Sequence, residues 1–168
     1  HLTDFYRVEG LVALHEGKLD EARDFLTAAM ETDPTSPVNA LVMGETYFQR
    51  GELGEAKRFL SEAVRVAPQE LRGHYFLARV AVDLGELPLA RASAMEAIKL
   101  NPFHPPSYLL LGDIASQMNS ADEAKNLYET AGRLARFANR SVAARAYYHL
   151  GLLLEGLGDK ETAKKRYL

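Results

Sequence analysis

The sequence predicts an all-α fold of the solenoid kind, built from stacked helix-turn-helix units. Three series of residues carry that prediction. Pro34, Pro68 and Pro102 stand 34 residues apart. Ala22, Ala56, Ala90 and Ala124 keep the same interval, as do Ala29, Ala63, Ala97 and Ala131. Gly17, Gly51 and Gly85 hold the register as well. Self-similarity at this length marks a stack of helical hairpins, in which each unit buries its apolar face only against its neighbours.

Counting back from each proline divides a single domain, 1–168, into repeats 3–36, 37–70, 71–104, 105–143 and 144–168. Each repeat reads as two helices and a turn. In the second, Val38, Leu41, Val42, Tyr47 and Phe48 recur at helical spacing, and Gly51 stops that helix. Leu53, Ala56, Phe59, Leu60 and Ala63 form the stripe of the next helix, and Pro68 closes the hairpin. The glycine after each first helix falls where the chain takes the left-handed conformation, open to glycine without a side-chain penalty. Asn119 fills that place in the fourth repeat and Gly158 in the fifth; asparagine is the next most tolerant residue there. The repeating alanines fit a close crossing of the two helices, where a methyl group lets the backbones approach.

These residues make the chain resemble the tetratricopeptide repeat family. The family's unit has a large residue at its fourth position, Leu then Gly or Ala at the seventh and eighth, and Tyr near the eleventh. Ala follows at the twentieth and twenty-seventh and Pro at the thirty-second. Met43, Gly44, Tyr47, Ala56, Leu60, Ala63 and Pro68 supply the pattern in the second repeat. His74, Leu77, Ala78, Ala90, Ala97 and Pro102 supply it in the third, and Tyr108, Leu111, Gly112, Ala124, Tyr128 and Ala131 in the fourth. The first repeat fits at Tyr6, Gly10, Ala22, Leu26, Ala29 and Pro34, with Glu9 in place of the leucine. The resemblance implies a right-handed superhelix of such hairpins.

The last third departs from the pattern. Ala124 and Ala163 are 39 residues apart, so the fourth repeat carries five extra residues, and Arg136 stands where its proline would fall. Arg133 to Ala146 holds neither proline nor glycine. A lengthened second helix is therefore expected, running to Asn139 or Ser141, with Ser141 capping the next helix. Tyr147, Leu150, Gly151, Leu154, Gly158, Ala163 and Tyr167 match a fifth repeat that Leu168 cuts short. Terminal repeats need a polar outer face, so further chain, a partner or a second copy is expected to cover that end. The start at His1 points to processing, truncation or an engineered start.

Composition excludes several function classes. Charged residues make up 26% of the chain with a formal charge of −3, which gives no general field for nucleic acid. There is no cysteine, and hence no disulfide, thiolate metal site or cysteine nucleophile. No apolar run approaches the roughly 18 residues of a membrane span, so no spanning segment is expected. Both cytoplasm and periplasm suit such a chain, as does peripheral or lipid-anchored attachment. The histidines His1, His15, His74, His104 and His149 show no metal-ligand spacing. Phosphate loops and nucleophile motifs are absent. No cofactor and no catalysis are expected.

In proteins the chain resembles, the first helices line a concave groove that holds a partner. The corresponding positions are Val8 and Leu11 in the first repeat, with Arg7 and Leu14 beside them, then Leu41, Val42, Glu45 and Phe48 in the second. The third gives Arg72, Tyr75, Phe76 and Arg79, the fourth Leu109, Leu110 and Asp113, and the fifth Tyr148 and His149. Aromatic and arginine anchors in an apolar channel suit a helix or extended segment bearing hydrophobic residues. Tyr75, Phe76, Arg79 and Tyr148 are the expected anchors. Some family members grip a terminal carboxylate with a lysine, asparagine and arginine set; here those places read Arg7, Leu11, Val42, Arg72 and Phe76, which does not make that clamp.

One local basic cluster stands out: Arg133, Arg136, Arg140 and Arg145, with no acidic residue between Glu129 and Glu155. It reads as a solvated helix end, where the dipole favours cations, or as a patch for an acidic partner or anionic headgroups. The expected function is a non-catalytic scaffold holding a partner's peptide or helix, in assembly or targeting of a bacterial complex of the pilus, secretion, envelope or cytochrome type. Two alternatives stand beside it: the substrate-recruiting region of a longer enzyme, and a structural protein that self-assembles through its terminal repeats.

Overall fold

The computed structural model describes residues 2–158. Its helices follow the repeat. The first hairpin is α1 (Leu2–His15) and α2 (Leu19–Thr32), and the second is α3 (Pro37–Gln49) and α4 (Leu53–Val66). Then come α5 (Leu71–Asp83), α6 (Leu87–Leu100), α7 (Pro105–Gln117), α8 (Ala121–Ala135) and α9 (Arg140–Gly156). Among the described residues the chain is all-helical, as a helical solenoid requires. Contacts group the helices into two compact units that part between Gly85 and Glu86. The first holds α1 to α5 and the second α6 to α9.

The alanine series are the core. Ala22, Ala56, Ala90 and Ala124 are fully buried, and Ala29, Ala63, Ala97 and Ala131 are buried with them. Inside each hairpin the paired first helix offers a glycine to a large residue of the second. A Cβ at Gly44 would stand 2.6 Å from Leu60 Cγ, and one at Gly112 would stand 2.7 Å from the Tyr128 ring. Gly10 meets Leu26 in the same way. The backbones approach there because nothing projects between them, and Leu26 and Leu60 become fully buried.

The turns between the helices of a hairpin take the predicted left-handed residue. Gly51 has φ +77° and Asn119 φ +59°. Gly51 N–H donates to the Phe48 carbonyl at 3.0 Å and Glu52 N–H to that of Tyr47 at 2.9 Å, which satisfies carbonyls the helix end leaves open. The prolines end the second helices and lie in the exposed turns that follow them.

The five extra residues sit elsewhere than expected. α8 has 15 residues where α2, α4 and α6 have 14, so it gains one. α9 has 17 where α3, α5 and α7 have 13, so it takes the other four. Four residues make about one helical turn, so lengthening a helix by that amount keeps its buried stripe nearly in phase. The cap is Asn139, whose Oδ1 accepts from Val142 N–H at 3.1 Å, and Ser141 lies already inside α9. Asn139 wins because its side chain reaches the third residue on, the usual capping geometry. The places assigned to Ala163, Tyr167 and Leu168, and an expected ion pair of Glu161 with Lys165, lie outside the described residues, as does His1.

Candidate functional site

In the first unit, α3 and α5 bring together six residues read from the sequence. Glu45 on α3 is almost wholly buried, and both its oxygens accept from Arg72 Nη2, at 2.8 and 2.9 Å. Burial pushes the Glu45 carboxyl above the usual range, and the Arg72 guanidinium opposes that push. Two turns along α5, Arg79 lies over aromatic rings. Its guanidinium carbon is 4.6 Å from the Phe48 ring centre, 5.4 Å from that of Phe76 and 5.8 Å from that of Tyr75. Phe76 meets Phe48 edge-on at 6.3 Å and Tyr75 at 5.5 Å.

A guanidinium laid on ring faces keeps its charge and directs its N–H edge outward, ready to bond a carboxylate or carbonyl in plane. Arg79 makes no hydrogen bond or ion pair among the described residues. Phe48, Tyr75, Phe76 and Arg79 are each partly exposed. The result is a rigid aromatic platform with a cationic centre, closed on one side by the Glu45 and Arg72 pair.

Other predicted residues fall differently. Leu41 and Val42 are core residues and support the platform from beneath. Leu11 is half-buried against the core of the first two hairpins, Leu14 is buried in it, and Val8 is exposed on α1. Arg7 pairs with Asp4.

In the second unit, Asp113 on α7 is the hub. Its Oδ1 accepts from the Tyr128 hydroxyl at 2.9 Å and lies 2.7 Å from His149 Nδ1. Burial, with Asp113 beside it, pushes the Tyr128 phenol far above its ordinary range, so it remains a donor. The His149 ring stands edge-on to Tyr128 at 5.6 Å and to Tyr148 at 5.9 Å. These groups border a cleft of about 560 Å³ whose walls include Ser116, Tyr128, His149, Leu152 and Leu157. Leu109 is buried and Leu110 half-buried. The sequence reading placed Tyr128 only in the core; its hydroxyl was legible as a buried donor in need of an acceptor one helix away.

The arginine run does not form one surface. Arg133 is in the last turn of α8, Arg136 caps that helix, and Arg140 opens α9. Arg133 and Arg136 share a cleft of about 250 Å³ with Glu129 and Tyr147. Arg136 lies over the ring of Phe137, which is 90% exposed. Arg145 is exposed on α9. Among the described residues no group of three His, Asp or Glu side chains could hold a metal ion. No described helix is long and apolar enough to cross a membrane.

Helical hairpins at a 34-residue period, with glycine or asparagine turns and alanine crossings, define a class of repeat protein. Tetratricopeptide repeat profiles match residues 13–80, 71–94, 105–136 and 144–167, and the chain belongs to that family. Among solved structures it is similar to the MamA protein, at 25% identity and a TM-score of 0.84 over 99% of this chain and 88% of that one. It is similar in fold to MamA, residues 41 to the end, from Desulfovibrio magneticus RS-1: 18% identity, TM-score 0.87, over 98% and 90% of the two chains. A thermophilic TPR protein of Thermus thermophilus also shares the fold, at 20% identity and a TM-score of 0.77 over 98% and 88%. No curated protein sequence matches.

Proposed function

We propose that the chain is a non-catalytic protein-interaction scaffold whose first-helix face on α3 and α5 holds a peptide or helix of a partner protein. The single observation behind this reading is Arg79 laid over Phe48, Tyr75 and Phe76 and left without a hydrogen-bonding partner among the described residues. Aromatic and arginine side chains dominate binding energy once desolvated. Here their rotamers are already fixed by one another, so little ordering entropy opposes binding. Apolar burial on the rings drives association, and Arg79, Arg72 and Glu45 set orientation through charge. Val8 and Leu11 on α1 extend the same set in the first unit. Leu110, Asp113, Tyr148 and His149 offer a more polar contact in the second, and Leu41, Val42 and Leu109 give both faces their backing. Arg133, Arg136, Arg140 and Arg145 are a secondary basic surface. The role is assembly or targeting of a bacterial multiprotein complex.

The test is affinity capture from a native lysate with the wild-type chain and the variant Tyr75→Ala, Phe76→Ala, Arg79→Ala, after circular dichroism shows equal helicity. Loss of a specific partner from the variant supports the reading. Identical partners for both chains defeat it.

A further inference from the structure

α1 displays a face that the later first helices cover. In register, Phe5 corresponds to Asn39, Gly73, Ser107 and Ala146, and Val12 corresponds to Thr46, Val80, Ile114 and Leu153. The four residues matching Phe5 are small and buried. On α1 the face is apolar and open: Leu2 is 58% exposed, Phe5 54% and Val12 46%. Glu9 and Glu16 fall on the same side, because Phe5, Glu9, Val12 and Glu16 follow one another at four, three and four residues.

The small residues have a reason. Asn39 Nδ2 donates to the Ala29 carbonyl at 3.2 Å, and a Cβ at Gly73 would stand 2.9 Å from Val64 Cγ1. The preceding second helix comes that close. A hairpin brought onto α1 at the same spacing would run into the Phe5 ring. A second copy placed α1 against α1 about a two-fold axis fares no better, since Glu9 lies at the middle of the helix and the two carboxylates would face each other. Residues 2–32 carry seven carboxylates against three lysine and arginine side chains, so the hairpin as a whole favours a cation.

We propose that the outward face of α1 docks a cationic amphipathic helix of a partner protein. The partner's apolar stripe covers Leu2, Phe5 and Val12, and its lysine or arginine side chains reach Glu9 and Glu16, the latter now held by Lys18 at 2.8 Å. Glu9 and Glu16 among the apolar residues select against neutral and acidic helices of the same shape. The site is separate from the α3 and α5 platform and stands or falls independently of it.

The test is fluorescence anisotropy with the full chain and three labelled synthetic peptides of about 18 residues: an amphipathic leucine and lysine helix, its leucine and glutamate counterpart, and a scrambled leucine and lysine peptide. The amphipathic lysine peptide binds at least about tenfold tighter than the other two. Phe5→Asp, on an exposed position, keeps the helicity and weakens binding by about tenfold, although it adds the negative charge that mere ionic attraction would welcome. The Tyr75→Ala, Phe76→Ala, Arg79→Ala chain binds the peptide as the wild type does. The proposal is overturned if Phe5→Asp leaves binding unchanged, if the scrambled peptide binds equally well, or if the platform variant alone loses binding. It is equally overturned if sedimentation shows the free wild-type chain to be a dimer that Phe5→Asp dissociates, since a second copy is then the occupant.

Discussion

Glu45, Arg79 and Asp113 stand at one register position in three successive repeats, and the two units treat that position differently. In the first unit Glu45 is buried and closed by Arg72, while Arg79 is displayed on three rings with its N–H edge open. In the second, Asp113 is shared between Tyr128 and His149 at the edge of a cleft. One backbone position thus serves as a strut, a presented cation and a hydrogen-bond hub. A repeat fixes where a side chain stands; its neighbours on the adjoining helices decide whether it is used inside the protein or offered to a partner.

The contrast is broken most sharply at its ion pair. Arg72→Ala leaves a buried carboxylate without its cation and costs about 3 kcal/mol at neutral pH, read by urea denaturation. Asp113→Ala leaves Tyr128 and His149 beside a cleft that admits water, and costs about 1 kcal/mol. Equal losses would show the two sites to be equivalent.

The pH dependence sharpens the same point. Burial raises the Glu45 pKa above its ordinary value of 4.5. Between the unfolded and folded pKa values the folded chain holds a proton that the unfolded chain has released, so the stability this group contributes is fully present below the unfolded value. It is lost as pH rises through the folded one. Wild type relative to Glu45→Gln therefore loses stability over that window, measured by denaturation at a series of pH values. A flat difference would mean that Arg72 fully offsets the burial.

Packing and turn substitutions are expected to be smaller and to treat both units alike. Ala56→Leu and Ala124→Leu each overpack a hairpin crossing by about 2 kcal/mol. Gly51→Ala forces a side chain into φ +77° and costs about 1 kcal/mol, whereas Asn119→Gly changes stability by about 0.5 kcal/mol or less. Thermal melts of the four variants check this order.

The hairpin fold was legible because its signals are local and repeated. An alanine that recurs every 34 residues has to be small for the same crossing each time, and all eight are buried. The insertion was not legible in detail: Arg133 to Ala146 has no glycine or proline, so the chain gives no punctuation to divide one added residue of α8 from four of α9. Asn139 and Ser141 are both fit caps, and only the packed length of α9 chooses between them. At the platform, helical period alone assigns Leu41 and Val42 the same direction as Tyr75 and Phe76. The aliphatic pair ends inside the core, while the aromatic pair is long enough to reach the surface. The open face of α1 was readable in principle, since Phe5 stands where four other first helices carry a small residue.

The central claim, that the α3 and α5 platform is where a partner binds, is tested most directly by site-specific photocrosslinking. A benzophenone amino acid is placed at Phe76 on the platform or at Arg58, an exposed site on α4, and each chain is irradiated in native lysate. The account predicts one abundant adduct from position 76, lost when Arg79→Ala is added, and none of the same mass from position 58. Adducts that form from position 58 and not from position 76 would contradict it.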